Sequence, residues 1–202
     1  MRRFDSKTLL VATHNAGKLE EFQQIMTPLG ITVTSAAEHG LPEPAETETT
    51  FIGNARIKAH AAAKATGLPA LADDSGLEVA ALGGAPGVYT ADWAETPQGR
   101  DFIMAMGKTH AKLLAANAPQ PWHARFCCTL VLAWPDGHDE VFEGYVNGQL
   151  VWPRRGADGH GYDPMFQPDG ESRTFAEMSH AEKNALSHRG AAIKALLLGC
   201  FQ

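Results

Sequence analysis

The segment Leu71-Ala72-Asp73-Asp74-Ser75-Gly76-Leu77-Glu78-Val79 constrains the fold more than any other. An apolar lead-in meets two carboxylates, a hydroxyl and a glycine, and a second apolar run follows. The pattern predicts a buried strand over 71–73, a tight turn and a return. Adjacent strand residues face opposite sides, so only one of Asp73 and Asp74 aims squarely at a cleft. Burying two acids is costly unless a metal ion or a cation compensates, or the turn is capped by its own Asp and Ser. From this stretch alone, cap and catalyst stand as equal readings.

The rest of the chain alternates strand and helix patterns. Thr8 to Ala12 reads as a buried strand, Thr13 to Lys18 as the turn after it, and Leu19, Phe22, Ile25, Met26 and Leu29 as the stripe of a helix. Ile31 to Thr34 is a second strand by β-branched content. Glu38 to Thr49 is a proline-bearing acidic loop. Phe51 to Thr66 is an alanine-rich helix with Gly67 as its stop. A helix is expected over 99–116, a strand over 124–133, a hairpin turn at Asp136-Gly137 and its return over 141–150. Ser179-His180-Ala181-Glu182 is a capping box. Ser187 to Gly190 interrupts that helix, and Ala191 to Leu198 closes as another. This order predicts an α/β fold with a mixed sheet in one domain over 1–202. Trp93 and Trp152 are expected in the core.

Composition narrows the function classes. The formal charge of -6 supplies no global basic field for nucleic acid or a membrane surface, so an anion must be held by a local cluster. Three cysteines, two of them adjacent, make no disulfide framework and point to a reducing, cytoplasmic setting. The start meets an acid and a lysine before any apolar run, which is a poor signal peptide, and no segment is expected to span a membrane.

The loop Thr13 to Lys18 joins a strand to a helix N-terminus, where free N–H groups and the dipole favour anions. Lys18 stands at the wrong end of its own helix; a bound phosphate or plain solvation accounts for it. Magnesium takes one or two protein carboxylates, and Glu46 and Asp74 are candidates. Arg154, Arg155, His160, Tyr162 and Asp163 crowd one loop, and Lys183, His188 and Arg189 another; solvated faces remain the alternative.

Six motifs then fall in order: Thr13-His14-Asn15-x-x-Lys18, Thr50-Phe51-Ile52-x-Asn54-Ala55-x-x-Lys58-Ala59, Ala72 to Leu77, Gly83 to Ala91, Gly161 to Phe166, and Glu182-Lys183-x-x-x-Ser187-His188-Arg189. Together they resemble the inosine/xanthosine triphosphate pyrophosphatases, along essentially the whole chain. The resemblance implies an elongated mixed β-sheet with flanking helices forming two lobes around a central substrate cleft, in a homodimer. It implies Mg²⁺-dependent hydrolysis of ITP, dITP and XTP to the monophosphate and pyrophosphate. Carried over by position, Thr13, His14, Asn15, Ala16, Gly17, Lys18 and Lys58 meet the phosphates. Asp74 is the catalytic acid, Glu46 and Asp74 hold metal, and Ser75 contacts substrate. His160, Gly161, Tyr162, Asp163, Lys183, His188 and Arg189 form the nucleotide pocket, with the donors of His188 and Arg189 suited to a 6-keto oxygen.

Three residues depart from that family pattern. His160 stands where Phe is usual, Gly53 where Glu is common, and Glu48 where Gly is common. Alternatives are a Maf-type nucleotide pyrophosphatase, a nucleotide sensor without turnover, and a nucleic-acid module, the last disfavoured by charge.

Overall fold

The computed structural model describes all 202 residues. In chain order the elements are β1 (Thr8–Val11), α1 (Ala16–Met26), β2 (Thr32–Ser35), α2 (Phe51–Thr66), β3 (Ala70–Val79), β4 (Glu95–Thr96) and β5 (Gly99–Arg100). Then follow α3 (Phe102–Ala115), β6 (Trp122–Ala133), β7 (Asp139–Leu150), β8 (Phe166–Pro168), α4 (His180–Leu186) and α5 (His188–Cys200). Six strands form one sheet in the order β2-β1-β3-β6-β7-β8, while β4 and β5 make a separate hairpin. β1 runs parallel to β2 and β3, and β7 antiparallel to β8, so the sheet is mixed as expected.

The turn expected at Asp73-Asp74-Ser75-Gly76 is absent. β3 continues through these residues for ten positions; β1 pairs with it only at Ala70 and Leu71, and β6 is its neighbour on the other side. A turn there would strip ladder partners from β6, and this tertiary demand overrides the local turn chemistry of Asp, Ser and Gly. α3 starts at Phe102 rather than Gly99, because Gly99 and Arg100 pair with Glu95 and Thr96 and Asp101 caps the helix by accepting the Met104 N–H at 2.9 Å. The interruption expected over Ser187 to Gly190 is Ser187 alone, extended at ψ 150° between α4 and α5. α5 begins at His188, and the Ser187 Oγ accepts the Gly190 N–H at 3.0 Å.

The chain divides into two compact units. The first comprises Met1–Asp74, Thr129–Glu143 and Ala192–Gln202; the second comprises Ser75–Cys128 and Gly144–Ala191. In the first, Ala55, Ala59, Ala62 and Ala63 form one face of α2 and are buried with Leu10, Ala70, Ala72, Val131 and Ala133. Small side chains let the helix lie close on the strands. Its ends are defined by the Thr50 hydroxyl, which accepts the Gly53 N–H at 3.0 Å, and by Gly67 at φ 71°. Thr50→Ala is expected to lower unfolding free energy by about 1 kcal/mol, measured by urea denaturation; an unchanged midpoint would show the cap to be idle.

The second unit packs Leu77, Val79, Met106, Leu113, Trp122, Phe126, Met165, Phe166 and Phe175. Phe166 meets Phe126 at 4.6 Å and Phe175 at 5.3 Å between ring centres. Trp152 is not in this core. It is 39% exposed and stacks on His110 at 4.4 Å. Trp93 is half-buried beneath Lys108 and Lys112.

Candidate active site

The end of β1 and the middle of β3 collect the charged groups of the first unit. Asn15, at the N-cap of α1, accepts the N–H groups of Gly17 (2.9 Å) and Lys18 (3.2 Å), and Thr13 Oγ1 accepts the Asn15 N–H at 3.0 Å. The loop expected to take phosphate thus satisfies two helix N–H groups with its own side chain. Ala16 opens α1 in this loop, and the His14 ring nitrogen Nε2 lies 2.9 Å from the Leu41 carbonyl.

Lys18 is neither simply solvated nor in need of a phosphate to explain its position. Its Nζ donates to both carboxylate oxygens of Asp73, at 2.9 and 2.7 Å. Asp73 caps no turn; it is the counter-charge of Lys18. Lys58, in the middle of α2, donates to Glu46 Oε1 at 2.5 Å. Burial pulls the Lys58 pKa down, but the Glu46 hydrogen bond and the charges of Asp73 and Asp74 outweigh it and leave the pKa raised.

Asp74 is buried at 8% exposure, and burial pushes its carboxyl up to about 7. Lys58 opposes that rise, Glu46 adds to it, the Asn54 side chain opposes it through a hydrogen bond, and Asp73 adds a little. Asp74 is therefore a carboxylate whose charge the protein under-compensates, which a divalent cation would relieve. No group of three His, Cys, Asp or Glu side chains forms an all-protein cage. Two oxygen donors, Asp74 and Glu46, fit magnesium, which draws its other ligands from phosphate and water. A pocket of about 200 Å³ adjoins, lined by His14, Leu41, Pro42, Lys58 and alanines of α2.

The second unit gathers the other predicted residues. Asp163 is 3% exposed; its Oδ2 accepts the Lys183 ammonium and, at 2.6 Å, the His160 N–H. Gly159, at φ 83°, has no room for a side chain, since a Cβ there would lie 2.5 Å from that oxygen. Tyr162 is fully buried, with its hydroxyl donating to the Thr90 carbonyl at 3.4 Å, and burial lifts its pKa to about 12. His160 and Tyr162 both meet Phe102 edge-on, at 5.4 and 5.8 Å. The His188 ring stacks on Phe126 at 5.1 Å, and Arg189 follows it in the first turn of α5. A cavity of about 380 Å³ is lined by Phe102, Arg154, Gly156, His160, Gly161 and Pro164, among others.

Sequence reasoning missed Asn54, Asp73 as a lysine partner, and Phe102. Asn54 was already inside the second motif, one helical turn (i, i+4) before Lys58. Phe102 carried no signal beyond an aromatic residue following a cap.

Two helix-borne lysines, each paired with a carboxylate of β3 or of the acidic loop beside the buried Asp74, mark the site of an α/β protein. The chain belongs to the Ham1 family, whose sequence profile matches residues 9–198. It is 66% identical over 200 residues to the dITP/XTP pyrophosphatase of Ruegeria pomeroyi, covering 99% of this chain and 98% of that one. It is 56% identical over 211 residues to the protein of the same name from Rhizobium meliloti, covering 99% of each. Among solved structures, a HAM1 protein from Coxiella burnetii aligns with TM-score 0.89 at 38% identity over 95% of this chain and 96% of that one. The nucleoside-triphosphatase / dITP/XTP pyrophosphatase of Mycobacterium abscessus aligns with TM-score 0.80, also at 38% identity, over 94% and 98%. The family resemblance drawn from the six motifs is borne out.

Proposed function

We propose that this chain is a nucleoside-triphosphate pyrophosphatase that removes deaminated purine nucleotides, dITP, ITP and XTP, with Mg²⁺ as cofactor. The observation that carries this reading is the carboxylate of Asp74, buried and raised beside Glu46, Lys58 and Lys18, in a chain whose relatives bear the name dITP/XTP pyrophosphatase. Water adds to the α-phosphorus, the bond to the bridging oxygen breaks, and pyrophosphate leaves. Asp74 orients the water and takes its proton, or holds the cation. Magnesium on Asp74 and Glu46 would neutralise charge on the phosphates. Lys18 and Lys58 supply further positive charge once phosphate oxygens compete for them with Asp73 and Glu46. Thr13, His14 and the Ala16 N–H add donors, the Gly17 N–H joins them once phosphate competes with Asn15, and Ser75 follows Asp74 on β3. In the second unit, His160, Tyr162 and Asp163 shape the base-binding loop, and Lys183, His188 and Arg189 supply donors that donate to a 6-keto oxygen and repel the 6-amino group of adenine.

No helix is long and apolar enough to cross a membrane. A homodimer and a cytoplasmic setting complete the proposal, on the family resemblance and the cysteine usage. The test is a triphosphate panel (ITP, dITP, XTP, GTP, ATP and pyrimidines) with Mg²⁺, scoring pyrophosphate against orthophosphate. Pyrophosphate from ITP, dITP and XTP, at rates far above those from ATP and pyrimidines, is expected. Release of orthophosphate, or equal rates on ATP, would sink the reading.

A further inference from the structure

We propose that Asn54 is a positioning residue for the carboxylates of Glu46 and Asp74, tying the loop that carries one to the strand that carries the other. The inference rests on the reading of this site as a magnesium–nucleotide site. Asn54 lies on α2 at 2% exposure, so it meets no substrate itself. Its Oδ1 accepts the Glu48 N–H at 2.9 Å, which fixes the orientation of the amide. The NH₂ group is then the end that hydrogen-bonds the Asp74 side chain. One turn along the same helix, Lys58 holds Glu46. The loop 46–48 is thus fastened to α2 at two points, and one of them reaches on to Asp74. A metal site loses affinity when the groups that orient its ligands are removed, roughly 10–100-fold.

Gly53 and Glu48 give this arrangement a second, independent handle. A Cβ on Gly53 would lie 2.6 Å from the Glu48 Cβ and 2.7 Å from its Cγ. The Glu48 Cβ is rooted to the backbone, so relief of the clash moves the loop and its N–H away from Asn54. The two departures from the family pattern are therefore one coupled feature: with Glu at 48, glycine at 53 leaves the space that Glu48 fills. Removing the Glu48 side chain restores that space.

The experiment compares the wild type, Asn54→Leu, Gly53→Ala and the double variant Gly53→Ala/Glu48→Gly. Mn²⁺ is titrated into each protein without nucleotide, followed by electron paramagnetic resonance. The Mg²⁺ dependence of pyrophosphate release from dITP is measured beside it, and circular dichroism checks folding. For Asn54→Leu and Gly53→Ala, the Mn²⁺ dissociation constant and the half-saturating Mg²⁺ are expected to rise roughly 10–100-fold, with the double variant returning to within about threefold of wild type. Should Asn54→Leu unfold, Gly53→Ala and its rescue decide the matter. Wild-type Mn²⁺ affinity in both single variants, or a double variant as weak as Gly53→Ala, overturns the positioning role while leaving the site reading intact. A wild type that binds no Mn²⁺ and releases no pyrophosphate overturns the site reading and the positioning role with it.

Discussion

Asp74→Asn is expected to abolish most pyrophosphate release, by about 10³-fold, while making the metal-free protein more stable above neutral pH. The two effects have one cause. The carboxyl is raised from 3.8 to about 7 by burial, with Lys58 only partly offsetting it. Well below pH 3.8 the group is protonated in both folded and unfolded chains and contributes nothing. Between pH 4 and 7 the unfolded chain ionises and the folded chain does not, so the folded state binds more protons and loses stability as pH rises. Above 7 the penalty is complete, with an upper bound of about 4 kcal/mol from a shift of ~3 units. Asparagine keeps the shape and removes the penalty. In chelator at pH 8, the variant should melt above wild type; well below pH 3.8 the two should coincide. Saturating Mg²⁺ should raise the wild type and leave the variant nearly unmoved. A variant that melts below wild type at pH 8 in chelator contradicts the assignment of strain to this carboxylate. A variant that still binds dITP but releases no pyrophosphate also excludes the sensor reading, provided the wild type turns over.

Much of the fold was legible because its elements have strong local signals. The alanine stripe, Thr50 and Gly67 set α2 from 51 to 66, the same limits that alanine content and the Gly67 stop gave. Asp136-Gly137 marked the connection from β6 to β7, with Gly137 at φ 90°. What failed was local chemistry under tertiary control. Asp73-Asp74-Ser75-Gly76 reads as a turn by composition, yet it lies within the ten-residue β3 beside β6 and stays extended. β8, three residues long, pairs with Gly148, Gln149 and Leu150 and has no periodicity of its own.

The site was legible as a set of residue types and much less as a set of partners. Lys18 was visible as a cation at the wrong end of its helix. Its partner Asp73 stands 55 positions away, and spacing could not have chosen it over Asp74. The strand alternation did separate the two acids: one holds a lysine, the other is left under-compensated. The distribution of lysines is the clearer lesson. Lys18, Lys58 and Lys183 were each expected to face phosphate or nucleotide, and each is paired with an acid: Asp73, Glu46 and Asp163. Sequence identifies the cations because motifs contain them, whereas their acids are supplied by other segments.

Asp163→Asn is expected to have the largest effect in the second unit. Its buried Oδ2 accepts both the Lys183 ammonium and the His160 N–H, so one carboxylate fixes a cation and the backbone of the base-binding loop together. Removing one partner of a buried pair strands the other, at about 3–5 kcal/mol when fully enclosed. The Lys183 side chain is 20% exposed, so water recovers part of that, and a loss of about 2–3 kcal/mol is expected. The KM for dITP should rise further than kcat falls, because binding geometry is lost before chemistry. Lys183→Met in the Asp163→Asn background separates the two roles. Deleting the stranded ammonium should return much of the stability, since the pair no longer has an unmatched charge. It should not return the KM, because the donor meant for the nucleotide has gone. Urea denaturation and steady-state kinetics on the four proteins of that cycle read both quantities. Stabilities that simply add, with no recovery in the double variant, would remove the pair from the framework of the loop; a recovered KM would remove Lys183 from the nucleotide.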